Sequence, residues 1–277
     1  MKKKDAKLPL ARLCRNRVID SVTKFAKNIE AEQLKKRRPL RQFMRWLSKL
    51  AFWLLTDLTI EGEDNFPEQG PLIVVGNHFS FVDPAAFVRV SPAPLEFIGG
   101  AVNPHAPTFI LFIPRLWGYL PVKRGTGSTF ALREAEKVLN RGGFLAVFPE
   151  AGNWAQVLRP PRPGAAFLVS RTNAKVLPIG LDGMDQVFPA LKRFKRAKVT
   201  IKIGKPYQPS TITGKGRERR RQIDEVGHEM MRHIAQLIPP EKRGHYSDDP
   251  AIRAAAQGTE VYPWADSVEG EVKGQVS

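Results

Sequence analysis

Apolar residues near the start of the chain recur at helical spacing. Val18, Val22, Phe25, Ala26 and Ile29 fall on one side of a helix whose run ends at Lys35-Lys36-Arg37-Arg38-Pro39. A second helix is predicted from Leu40 to Leu58. Leu40, Phe43, Leu47, Leu50, Leu54 and Leu58 share one face, Arg41, Arg45 and Lys49 line another, and Trp46 and Trp53 fall on the flank between them. An apolar face, a cationic face and flanking tryptophans suit a helix lying in a lipid interface, although a helix packed on its own domain shows the same amphipathicity.

From Asp57 the pattern changes to short apolar runs bounded by turn residues. Pro71–Gly76, Leu95–Ile98, Phe144–Phe148 and Val176–Ile179 read as strands, the first and the last two of them buried, and Lys198–Ile203 alternates as a half-exposed or edge strand does. Between them, Asp83-Pro84 opens a helix as N-cap and first helical residue, Ser128–Arg141 forms another ended by Gly142-Gly143, and Arg217–Ile238 runs until Pro239-Pro240. Strands alternating with helices predict an α/β fold, a mostly parallel sheet flanked by helices, with an N-terminal amphipathic helical membrane-binding segment. The expected domains are a basic membrane-associating segment at 1–56, a catalytic core at 57–240 and a flexible acidic tail at 241–277.

Composition leaves room for this architecture: 277 residues, 42% hydrophobic, suffice for one sizeable α/β domain. Cys14 is the single cysteine, so no intrachain disulfide can form, as suits a reducing compartment. The charged start Met-Lys-Lys-Lys-Asp lacks the apolar run of a signal peptide, and no stretch reaches the roughly 18 apolar residues of a spanning helix. Net charge is +17 and uneven: residues 1–50 hold 16 Lys/Arg against 4 Asp/Glu, whereas residues 241–277 hold 4 against 7. Such a basic arm serves anionic lipid or nucleic acid equally well. No zinc-finger, RNA-recognition or helix-turn-helix signature favours nucleic acid, and no such partner is expected.

Candidate chemistry begins at Asn77-His78-Phe-Ser-Phe-Val-Asp83-Pro84, where a buried strand gives way to a helix. The carboxylate can fold back onto one imidazole nitrogen, fix the tautomer and leave the other nitrogen to take a proton from a hydroxyl. By itself that spacing equally describes a loop histidine beside an N-capping aspartate. Three further blocks follow: Gly118-Tyr-Leu-Pro-Val-Lys123-Arg124-Gly125, Val147-Phe-Pro149-Glu150-Ala-Gly152 and Val176-Leu-Pro178-Ile179.

These four blocks, in this order and at these intervals over roughly residues 55–210, resemble the glycerolipid acyltransferase family, whose commonest members are 1-acylglycerol-3-phosphate O-acyltransferases. The resemblance implies acyl transfer from acyl-CoA or acyl carrier protein, as co-substrate, to the hydroxyl of a lysophosphatidate-like glycerolipid. It implies no bound cofactor or metal, and it places the protein on the cytoplasmic face of a membrane, peripheral or monotopic, against an anionic surface. On the same footing His78 is the general base and Asp83 orients it. Arg124, with Gly125, lies in the acceptor phosphate site, Glu150, Gly152 and Asn153 in the acceptor-binding block, and Pro178 in a fourth block that shapes the site.

The reaction chemistry agrees with this assignment. A deprotonated alcohol attacks a thioester directly, so one base, a group polarising the carbonyl and cations for the head group suffice. Amides at the start of the Asp83–Val90 helix are candidate oxyanion donors, and Arg124-Gly125-Thr-Gly127-Ser128 precedes a helix N-terminus suited to phosphate. One departure stands out. The third block of the family reads Phe-Pro-Glu-Gly-Thr-Arg, whereas here Glu150 is followed by Ala151, Gly152 and Asn153, with Arg159 and Arg162 downstream as possible replacements for the missing cation. Other readings remain open: a phospholipid–lysophospholipid transacylase, an acyltransferase for another head group, or a non-catalytic lipid-surface or nucleic-acid-binding protein. His228 and His233 stand five apart, which on a helix points them about 140° from each other and away from a shared zinc ion. No G-x-S-x-G elbow is present.

Overall fold

The computed structural model describes residues 37–100, 113, 116–122 and 129–261. The helix expected before residue 37, the pair Arg124 and Gly125, and the end of the tail at 262–277 lie outside the described residues. The chain divides into two compact units, residues 1–43 and 44–277. Of the first, residues 37–43 are helical, with Leu40 and Phe43 exposed.

In the second unit, helix α1 covers residues 44–55 and is followed directly by strand β1, Thr56–Glu61. The Thr56 hydroxyl donates to the Phe52 carbonyl at 2.6 Å, closing the last turn. Leu58, expected on the helix, is instead a strand residue beside Val199. Pairing along the sheet outweighs one more helical turn there. Burial also differs from the expected faces. Phe52 and Met44 meet the core, the Ser48 hydroxyl donates to the Ala85 carbonyl, and Leu47, Trp53 and Leu54 are exposed. Arg45, expected on a cationic stripe, is half-buried and donates to the Ser91 carbonyl.

The remaining elements are β2 (Leu72–Gly76), α2 (Asp83–Val90), β3 (Leu95–Gly100), β4 (Leu120–Val122), α3 (Thr129–Asn140), β5 (Phe144–Val147), α4 (Gly164–Thr172), β6 (Lys175–Asp182), α5 (Val187–Leu191), β7 (Ala197–Ile203) and α6 (Gly216–Ala235), of which β4, α4 and α5 were not expected from the pattern. Among the described residues, seven strands form one sheet in the order β1-β7-β6-β2-β5-β3-β4, and every neighbouring pair is parallel except β6 with β7. β7 alternates buried with more exposed positions but is an interior strand, because the unforeseen β1 takes the edge.

Strand β2 is buried throughout, which its run of Leu, Ile and Val requires, since both faces are covered. Leu72 and Val74 face one core, with Phe87 of α2 and Phe52 of α1. Ile73 and Val75 face the other, with residues of α3, α4 and α6. Each fully buried aliphatic side chain contributes about 1.5–3 kcal/mol, so these layers hold β2, and β5 beside it, firmly in the sheet. Their register, Val75 beside Val147, brings the segments that follow them to the same edge of the sheet.

The chain after Pro240 departs from the expected flexible extension. Residues 240–261 fold into two short 3-10 turns and helix α7, Pro250–Ala256, whose Asp249 cap accepts from the Ala251 amide at 2.8 Å. They bind the loop after Glu150: Leu158 N–H donates to the Lys242 carbonyl, His245 N–H to the Leu158 carbonyl, and the Trp154 indole to the Thr259 carbonyl. Backbone partners of this kind leave no periodic trace in sequence. Among the described residues, no helix is long and apolar enough to cross a membrane.

Candidate active site

The chain leaves β2 at Gly76, and Asn77 makes that exit possible. Its buried carboxamide imitates a peptide group, donating to the Leu181 carbonyl and accepting from the Leu181 amide, both at 2.8 Å. The ladder with β6 is thereby completed by a side chain while the main chain turns away. Gly76 is required by close packing at this exit, because a Cβ there would stand 2.7 Å from both the Ile179 carbonyl oxygen and the Phe87 ring.

His78 follows, and two carboxylates hold it. Its Nδ1 lies 2.9 Å from Asp83 Oδ2, and that oxygen also accepts the amides of Phe79 at 2.8 Å and Ser80 at 2.7 Å. The loop from 78 to 83 is thus wrapped around one carboxylate oxygen, the folding-back that the spacing allowed. The His78 backbone N–H donates to Glu150 Oε1 at 2.8 Å. Its ring stacks on Phe148 at 4.2 Å, which in turn stacks on Phe87 at 4.8 Å. With Nδ1 engaged and 16% of the side chain still accessible, Nε2 is the nitrogen left to meet a substrate.

Glu150 comes off the end of β5 through Phe148-Pro149. Its second oxygen accepts from the Arg159 amide at 3.3 Å and from Arg159 Nε at 3.2 Å, an ion pair with both side chains buried. The Arg159 guanidinium also donates to the Gly152 carbonyl and lies 3.7 Å from the Trp154 ring centroid. Gly152 has no room for a side chain, since a Cβ would meet the Trp154 ring at 2.0 Å. Ala151 adopts φ 56, a left-handed conformation, at the position where the resembled block carries glycine. Gln156 of the same loop donates to the Phe79 carbonyl, joining the two segments again.

Burial pushes the Asp83 carboxyl up from its ordinary value, opposed by the His78 ring and the amides of Ser80 and Phe79. Its Oδ1 is buried without a hydrogen-bond partner among the described residues. Burial likewise pushes Glu150 up to about 7, against the pull of Arg159 and the His78 amide.

Of the sequence-predicted residues, the structure brings together His78, Asp83, Glu150 and Gly152. Asn153 is half-buried in the same loop. Pro178 lies one strand away in β6, beside Val75, where its carbonyl accepts the Gly204 amide; it sets the strand that Asn77 bridges to. The helix-start amides expected to hold an oxyanion are already used, Asp83 N–H by the Ser80 carbonyl and Ala85 N–H by the Val82 carbonyl, and Pro84 has none. Arg159 is the buried partner of Glu150 and is not presented to a head group, whereas Arg162 is exposed. Sequence reasoning assigned no role to Asn77 or Phe148. A polar residue directly after a fully buried strand was the available signal for Asn77. Among the described residues, no group of three or more His, Cys, Asp or Glu side chains is placed to hold a metal ion.

Residues 57–182 match the family model described as Acyltransferase. The 1-acyl-sn-glycerol-3-phosphate acyltransferase of Borreliella burgdorferi is 25% identical over 149 residues, which are 52% of this chain and 59% of that relative. The chain therefore matches under two thirds of the relative's length. Among solved structures, the 1-acyl-sn-glycerophosphate (LPA) acyltransferase PlsC from Thermotoga maritima aligns with a TM-score of 0.51 at 26% identity, covering 72% of this chain and 81% of that one.

The buried acids make stability depend on pH. Because Glu150 rises from 4.5 to about 7 on folding, the folded chain holds this proton more tightly than the unfolded one. That contribution is fully present below pH 4.5 and is lost as pH rises through about 7, a change of up to about 3 kcal/mol. Asp83 acts in the same direction. Urea unfolding across this range should show stability falling more steeply with pH in the wild type than in Glu150→Gln. Equal slopes would mean that the Glu150 carboxyl is not held in this buried state.

Proposed function

We propose that this chain, whose residues 57–182 match the acyltransferase family model, transfers a fatty acyl group from a thioester donor to the hydroxyl of a glycerolipid acceptor at a membrane surface. The observation that carries the reading is the His78–Asp83 pair at the carboxyl edge of the sheet, with Nδ1 tied to Asp83 and Nε2 open. The acceptor hydroxyl gives its proton to His78 Nε2 as its oxygen bonds to the thioester carbonyl carbon. The tetrahedral intermediate then expels the thiolate, which takes the proton back from the imidazolium. Asp83 stabilises that imidazolium, and no covalent enzyme intermediate is needed. Acyl-CoA or acyl-acyl carrier protein suits the donor role, and the basic segment at 1–56 suits an anionic leaflet.

The direct test supplies purified protein with acyl-CoA or acyl-acyl carrier protein and a panel of lyso-lipids and glycerol phosphates, with mass spectrometry of the products. An acylated glycerolipid is expected. His78→Ala and Asp83→Ala should each reduce turnover by on the order of 10²-fold or more, and the double variant should be little worse than either, because the two act as one unit. Folded single variants with near-wild-type turnover would remove the assignment.

The finer reading concerns the head group. Arg124 is retained in the second block, so a phosphate-bearing acceptor such as lysophosphatidate is the first choice. Asn153 stands where the family has arginine, and a bidentate arginine–phosphate contact is not reproduced by an amide. With Arg159 committed to Glu150, it does not restore the missing cation. Either weakened affinity for lysophosphatidate or a preference for a less charged head group follows. Asn153→Arg should therefore lower KM for lysophosphatidate relative to a less charged lyso-lipid, while Arg124→Ala should raise it. Unchanged acceptor ranking in both variants would place the head-group site elsewhere, with exposed Arg162 the next position to test.

A further inference from the structure

The turn joining α5 to β7 reads Leu191-Lys192-Arg193-Phe194-Lys195-Arg196, and all six residues are exposed. Phe194 is 98% exposed and adopts φ 54, a left-handed conformation that bulky side chains rarely enter. Glycine would fit such a turn without strain and without presenting an aromatic ring to water. Neither cost to Phe194 is offset by burial within the chain. Such a residue points to something outside the chain that receives it.

The surroundings indicate what that is. Four cations flank the ring along the chain. Arg196 donates from Nε to the Thr56 carbonyl and from its guanidinium to the Trp53 carbonyl, both at 2.9 Å, which ties the turn to the end of α1. There Trp53 is 68% and Leu54 54% exposed, and Lys49 lies one helical turn earlier. On its other side α5 reaches the active-site loop, where Phe188 packs on Phe81 at 5.1 Å, three residues beyond His78. Exposed aromatic and aliphatic tips ringed by Lys and Arg have the chemistry of a surface that enters the headgroup–acyl boundary of an anionic bilayer.

We propose that the Leu191–Arg196 turn and the end of α1 form one docking face for an anionic bilayer. Phe194 and Trp53 insert, the neighbouring cations engage lipid phosphates, and the His78 loop is set beside the leaflet. The choice of lipid over another polyanion rests on the reading of the acceptor as a glycerolipid. The test is flotation of the full chain with phosphatidylcholine vesicles, with and without phosphatidylglycerol, for the wild type, Phe194→Gly and the pair Lys192→Glu with Lys195→Glu. Phe194→Gly relieves the backbone, so its thermal midpoint should match or exceed the wild type. Binding to anionic vesicles should drop about tenfold or more in the charge-reversal pair, and clearly in Phe194→Gly. Both variants should keep turnover on a short-chain, freely soluble acceptor while losing it on a vesicle-borne one. Wild-type vesicle binding by both variants overturns the proposal. So does equal loss of binding to vesicles and to a duplex oligonucleotide in the charge-reversal pair with Phe194→Gly unaffected, which would mark a nucleic-acid surface. If the wild type transfers no acyl group to any acceptor but its vesicle binding still depends on Phe194, the docking face stands and the enzymatic reading falls.

Discussion

Two carboxylates, Asp83 and Glu150, are buried a few ångströms either side of one histidine, and the need to satisfy them organises this end of the molecule. An unpaired buried carboxylate is too costly to keep charged, so each is surrounded by donors. Asp83 gathers the amides of Phe79 and Ser80 and the His78 ring. Glu150 gathers the His78 amide and the Arg159 guanidinium. His78 is therefore held at ring and backbone by different acids, and its orientation follows from their solvation. Asp83 beside Nδ1 stabilises the positive charge that His78 acquires as a general base in the transition state.

The sheet delivers these groups to one place. β2 and β5 are parallel neighbours, so His78 and Glu150 leave the same edge one strand apart. Asn77 completes the β6 ladder as the main chain departs, and Phe148 supplies the surface on which the imidazole lies. The loop that carries Glu150 and Arg159 is itself strapped by residues 240–261, through Lys242, His245 and Thr259. A segment far along the chain therefore supports the second carboxylate.

Much of this was legible in sequence because it depends on local rules. Runs of Leu, Ile and Val gave β2, β5 and β6, and Asp83-Pro84 marked the start of α2, although Val82 is the cap and Asp83 the first helical residue; the His78–Asp83 pair was assigned through the four-block resemblance and not by its spacing alone. What was not legible depends on partners distant in the chain. β1 was absorbed into a predicted helix because Leu58 continues the helical period, whereas its pairing with Val199 lies 141 residues away. Arg159 looked like a spare phosphate ligand until burial tied it to Glu150. The tail after Pro240 is polar and short in core pattern, and its order comes from main-chain hydrogen bonds to the Glu150 loop. The face of α1 was drawn from periodicity, yet which apolar side meets the core is decided by α2 and Ser48.

Asp83 selects the His78 tautomer that carries its proton on Nδ1 and leaves Nε2 free to accept another. Long-range 15N–1H NMR on protein labelled at the histidine rings reads this directly, at a pH where the ring is neutral. The account predicts that His78 carries its proton on Nδ1 in the wild type and loses that preference in Asp83→Asn. A His78 protonated on Nε2 in the wild type would contradict it.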